Sequence, residues 1–125
     1  MAAPLAFVYD RNVTKTPGVL DQRVAECCAY AHRRGWQVAG VWIDHGDDAL
    51  TTERPEFTAL VTKLSALAPC GPVICLVHTW QRLAYDRRHR LALQQRIVQA
   101  GGHCATAFDE TDARPEAVPA ERAST

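Results

Sequence analysis

Apolar and polar residues follow one another along this chain in short blocks, and the period changes from block to block. Leu5–Tyr9, "LAFVY", is a continuous apolar run of strand length, which predicts a strand buried on both faces. The turn-rich loop "TKTPG" follows, and from there apolar residues fall at Leu20, Val24, Cys27, Cys28 and Ala31. That spacing is helical, and "RRG" supplies a basic last turn with a stop at Gly35. "WQVAGVWID" predicts a second strand. The polar loop "HGDDALTTERP" leads to a second amphipathic helix marked by Phe57, Leu60, Val61 and Leu64, with Pro55 suited to its first turn. "VICLVHT" is the most strand-like segment, unbroken and rich in β-branched residues. "WQRLAYD" then leads into a third helix, whose Leu93, Ile97 and Ala100 share a face and which Gly101-Gly102 ends. "HCATAF" is a last, weaker strand.

The order β-α-β-α-β-α-β predicts an α/β, three-layer domain. Its sheet is expected to be mainly parallel, of about four strands, with helices on both faces. The domain is expected over residues 1–109. From Glu110 onward "ETDARPEAVPAERAST" holds prolines and many charges but no apolar period, so residues 110–125 read as a flexible tail. In a parallel α/β sheet the functional loops gather beyond the carboxyl ends of the strands. Here those ends carry Tyr9 and Arg11, Asp44 and His45, Trp80 and Arg82, and Asp109. Several cations on one rim point to an anionic ligand such as phosphate.

Composition narrows the function classes. A chain of 125 residues suits one core, and 47% apolar residues is ordinary for a globular protein. Lys+Arg and Asp+Glu balance at 14 each, so bulk charge does not indicate a nucleic-acid binder and any DNA contact must use a local patch. The five cysteines are odd in number and lack C-x-x-C spacing, which argues against a disulfide framework or a zinc site. The histidines are scattered and none forms H-x-x-x-H, so no metal is expected; no glycine loop of the phosphate-cradling kind is present, so no cofactor is expected either. "MAAPLAF" lacks a basic n-region, and the longest apolar stretches are strand-sized. The expectation is a cytoplasmic protein without a membrane span.

Each candidate residue has a bland alternative. Arg11 suits a phosphate clamp and equally an ion pair with Asp10 or Asp44. Arg54, in isolation, reads as an ordinary solvated loop residue. Arg82, directly after the best strand, leans towards function. Tyr9 reads as a core residue with a satisfied hydroxyl. Arg82, Arg87, Arg88, Arg90 and Arg96 put a basic face on the third helix that could follow a nucleic-acid backbone, although such a run is more often simply solvated.

Four segments in order resemble the catalytic domain of the serine recombinases, the resolvase/invertase family. The first strand of that family ends in Tyr-x-Arg-x-Ser-Thr; here the residues are Tyr9-Asp10-Arg11-Asn12-Val13-Thr14. Its first helix is matched loosely by Leu20-Asp21-Gln22 and closely by Tyr30-Ala31-His32-Arg33-Arg34-Gly35-Trp36. Its Asp-x-Gly loop and Arg-Pro correspond to Asp44-His45-Gly46 and Arg54-Pro55. Its Asp-Arg-Leu-x-Arg motif corresponds to Gln81-Arg82-Leu83-Ala84-Tyr85. The resemblance implies that Tyr9, Arg11, Arg54 and Arg82 face a DNA phosphate. In the family a serine attacks that phosphate while arginines neutralise its charge.

The departures imply lost catalysis. The serine position is Val13, which has no lone pair, and Gln81 and Tyr85 replace an acid and a base. The reading is therefore a catalytically inactive recombinase-fold protein that contacts the DNA backbone weakly, or associates with itself or with a full-length recombinase. Two alternatives stay open. One is an active recombinase that uses Thr14, or Thr16, as a displaced hydroxyl. The other is a protein-interaction module unrelated to DNA, with Trp80 and Tyr85 as an exposed contact patch.

Overall fold

A computed structural model describes residues 3–13, 16–46, 51 and 53–113. The elements follow the expected order: β1 (Leu5–Asn12), α1 (Val19–Arg33), β2 (Gln37–His45), α2 (Pro55–Leu67), β3 (Val73–Val77), α3 (Trp80–Leu83), α4 (Arg87–Gln99) and β4 (His103–Thr106). The strands form one four-stranded sheet in the order β2-β1-β3-β4. All three strand pairings are parallel. Gly35, at φ +75°, turns the chain out of α1, and Pro55 opens α2.

This order has a physical consequence. The chain steps from β1 to β2 in one direction, then crosses back past β1 to reach β3. Crossovers of one hand taken in opposite directions place their helices on opposite faces. Accordingly α1 packs Cys27, Tyr30 and Ala31 on Ala6, Val8, Ile74, Leu76 and Ala105. The other face buries Phe7, Tyr9, Cys75, Val77 and Cys104 under α2, α3 and α4. β1 and β3 are thus buried on both faces, which is why they read as unbroken apolar runs. The reversal also opens a crevice between the carboxyl ends of β1 and β3, where ligands of such sheets bind.

One predicted element is divided. The third helix does not run from Arg82 through to Arg96. α3 ends at Leu83, and Ala84 is extended at φ −159° and ψ 142°. α4 restarts at Arg87, with Asp86 as its N-cap accepting from the Arg88 amide. Arg82 therefore belongs to a separate helix, and the single basic face expected over Arg82–Arg96 does not exist.

The sheet's two edges differ. Beyond Asp109 the chain folds back along β4, where Thr111 bridges Ala105 in antiparallel fashion. Asp112 accepts from the Cys104 amide at 2.7 Å and from Gln94 at 2.8 Å. Of the tail expected over 110–125, Glu110–Ala113 are thus tied to β4, and residues 114–125 lie outside the described residues. β2 forms the opposite edge, with a register shift against β1 between Ala6 and Phe7. All five cysteines are free thiols, with Cys27, Cys75 and Cys104 buried. Burial pushes the Cys27 thiol up to about 12, so it serves as a small core side chain. Among the described residues no helix is long and apolar enough to cross a membrane, and no group of His, Cys, Asp and Glu could hold a metal ion.

Candidate functional site

The carboxyl end of β1 carries alternate side chains to opposite faces of the sheet. Tyr9 and Arg11 point towards α2 and α3, and Asp10 points towards α1. Tyr9 is fully buried, and its hydroxyl donates to Asp44 Oδ2 at 2.8 Å. The same hydroxyl accepts from Arg54 at 3.2 Å. Burial, the largest cause, pushes the Tyr9 phenol up; the Arg54 charge opposes this and the hydrogen bond to Asp44 reinforces it. Tyr9 is therefore a neutral donor that joins a buried acid to a buried base.

Asp44 fastens the foot of α2. Its Oδ1 accepts from the Glu56 amide at 2.9 Å and its Oδ2 from the Phe57 amide at 3.0 Å. Those amides are among the orphan donors of a helix start, and a carboxylate there also meets the positive end of the helix dipole. Arg54, just before α2, is only 2% exposed, so it is not the solvated loop residue that its surroundings in sequence predict. Its Nε donates to the Thr51 carbonyl at 2.6 Å, and its terminal nitrogen also reaches the Leu83 carbonyl. One guanidinium thereby ties α2 to β1 and to the end of α3.

Arg11 spans the crevice. Its Nε donates to the Gln81 carbonyl at 2.7 Å, which links β1 to α3 across the switch point. The alternative ion pair with Asp10 or Asp44 does not form: Asp44 serves Tyr9 and α2, and Asp10 serves Arg23. Burial first, then the charges of Arg82 and Arg54, hold the Arg11 pKa below its ordinary value. The structure therefore gathers Tyr9, Arg11, Arg54 and Arg82 at the carboxyl end of β1, with Tyr9, Arg11 and Arg54 buried there. Arg82 is half-buried and lies 4.0 Å from Asp10 Oδ1. Burial, followed by the neighbouring Arg23, lowers its pKa.

Val13 follows the last residue of β1 and is 37% exposed at this rim. Its isopropyl group offers neither a nucleophile nor a hydrogen bond. Thr14, the displaced hydroxyl considered above, lies outside the described residues. Trp80 is half-buried against the core, because α3 is short and its first residue packs inward. It is not part of an exposed patch, whereas Tyr85 is 78% exposed. Arg96 is drawn away from the rim to Thr58 and over the Phe57 ring.

Arg23 is not marked by the apolar pattern of the sequence. It grips Asp10 at two points, Nε to Oδ2 at 2.7 Å and NH2 to Oδ1 at 3.1 Å. A signal was available: α1 starts at the rim where β1 ends, so a residue one turn into α1 faces the end of β1. A hollow of about 340 Å³ lined by Tyr30, Arg34 and Trp36 lies elsewhere, towards the strand starts on the α1 face, away from this rim.

The sequence profile of the family described as "Resolvase, N terminal domain" matches residues 6–118. The chain belongs to that family. Solved structures agree with this resolvase domain in fold. It is similar to the N-terminal catalytic domain of TP901-1 integrase, with a TM-score of 0.67 and 22% identity over 83% of this chain and 77% of that one. It is also similar to the C-terminal catalytic domain of ISC1926 TnpA, an IS607-like serine recombinase, at 0.68 and 20% over 84% and 71%. A resolvase family site-specific recombinase from Streptococcus pneumoniae aligns at 0.71 and 14% over 96% and 83%. No curated protein matches the chain. The resolvase domain thus keeps the parallel sheet of its family, and its rim arginines sit at the switch point of that sheet.

Proposed function

We propose that this resolvase domain binds the phosphate backbone of DNA at the β1/β3 rim without cutting it. The observation that carries the reading is Val13: a side chain with no lone pair stands at the strand end where Tyr9, Arg11, Arg54 and Arg82 converge. The arginines can neutralise a phosphate, and nothing at Val13 can attack one. Gln81 and Tyr85 depart from the family motif on the neighbouring element, which supports the same reading. Residues 1–109 carry this activity in the proposal, and the partners it implies are DNA and a second recombinase chain, either another copy or a full-length one.

Incubation with supercoiled DNA, followed by a search for a covalent protein–DNA adduct, tests the absence of cleavage. The wild type is expected to give none, and an adduct would show that another hydroxyl such as Thr14 serves. A band shift at low salt tests the binding. It is expected to weaken in Arg11→Ala and Arg82→Ala, and no shift at any salt would overturn DNA binding. One observation favours a second reading. Tyr85 and Leu91 are exposed near the start of α4, as in a protein-contact patch. A partner captured through Tyr85 in high salt and with nuclease present would favour an interaction module unrelated to DNA.

A further inference from the structure

Two cations face one buried carboxylate on the α1 side of β1. Arg23 holds both oxygens of Asp10 at hydrogen-bond distance, 2.7 and 3.1 Å. Arg82 stands 4.0 Å from one of the same oxygens, which is ion-pair range without a hydrogen bond. Among the described residues the Arg82 guanidinium makes no hydrogen bond, and its side chain keeps 22% exposure. Gln81 beside it is uncharged, so Asp10 is the acid that Arg82 meets. One negative charge shared by two cations leaves the group with a net positive charge. Because Arg23 takes Asp10 at two points, Arg82 is left with unspent charge next to Arg11.

We propose that Arg23 is a positioning residue: by holding both oxygens of Asp10 it keeps the Arg82 guanidinium at ion-pair distance and available to an incoming phosphate. This rests on the reading that the rim binds DNA phosphates, and it adds a specific division of labour. Asp10 is a built-in competitor for Arg82, and Arg23 keeps that competitor occupied. Without Arg23, Arg82 closes onto the buried carboxylate, the nearest anion, and is lost to the ligand. An arginine suits this task because its planar fork matches a carboxylate at two points, which a lysine cannot do.

The experiment compares wild type, Arg23→Gln, Arg82→Ala, Asp10→Asn and the double variant Asp10→Asn/Arg23→Gln. Two readouts are taken. Binding of a short duplex is followed by anisotropy over a salt series, and labelling of Arg82 by phenylglyoxal is followed by peptide mass. Arg23→Gln is expected to reduce the salt slope by about 1, as Arg82→Ala does, since each lost phosphate contact removes about that much. It should also slow Arg82 labelling several-fold. The double variant should recover both, because the competing carboxylate is gone. Asp10→Asn alone should keep the slope or steepen it.

An unchanged slope and unchanged labelling in Arg23→Gln would overturn the proposal. So would losses that the double variant fails to restore, the pattern of a merely structural role. Should Arg23→Gln not fold, Asp10→Asn decides, and a shallower slope or slower labelling there sinks the idea. Should the wild type not bind DNA, the binding reading fails, and Arg82 labelling alone judges the positioning role.

Discussion

Tyr9 shows how much one hydroxyl can hold. It donates to Asp44 and accepts from Arg54, so Tyr9→Phe leaves a buried acid and a buried base each short of a partner. The expected cost is about 1–3 kcal/mol, read from urea denaturation, with the fold retained. A change under a few tenths of a kcal/mol would mean that Asp44 and Arg54 find each other directly. The identity of this tyrosine was legible in the sequence as a core residue with a satisfied hydroxyl. The burial of Arg54 was not. A charged residue in a polar loop reads as solvated, and its partners at Tyr9 and Leu83 lie far away along the chain. Only folding brings carbonyl and hydroxyl oxygens to it in number. Arg23 was not legible for a related reason: helical periodicity marks which residues are apolar, not what a polar one reaches.

The strands and the long helices were legible because burial dictates their periods. β1 and β3 lie between two layers and read as continuous apolar runs, while α1 and α2 show one apolar face each. The break between α3 and α4 was not legible. Leu83 and Ala84 are as apolar as a continuing helix would need, and no glycine or proline marks the site. What breaks the helix is tertiary: Ala84 is buried in an extended conformation and Asp86 recaps the chain. The end of α4 is dictated more strictly. A Cβ at Gly102 would stand 2.7 Å from the Val73 carbonyl oxygen and 3.2 Å from Leu64. A backbone oxygen within a sheet cannot retreat, so Gly102→Ala is expected to cost about 1–3 kcal/mol. Thermal melting compared with an exposed control such as Gln95→Ala checks this, and equal melting would show that the α4–β4 joint yields.

The molecule as a whole should respond to acid through the foot of the sheet. Burial holds the His103 imidazole below its ordinary value, with the Asp112 charge pulling the other way. The unfolded chain therefore binds this proton more readily than the native one. The contribution of His103 to stability is fully kept above the ordinary value of about 6.5, falls as the pH drops below it, and levels off under the folded value. His103→Gln should flatten that part of a stability–pH curve measured in urea. A curve of the same slope in both proteins would assign the acid sensitivity to other groups.

The unequal edges of the sheet set a rule for assembly. β4 already has Thr111 along its flank, whereas β2 forms an edge with no partner strand among the described residues. Head-to-tail growth by strand addition needs two receptive edges per molecule. With one, two copies can meet only about a two-fold axis, β2 against β2, and the joined sheet then ends in β4 on both sides. On the described residues, strand pairing between copies of this domain would therefore stop at the dimer, with the flanked β4 at both outer ends.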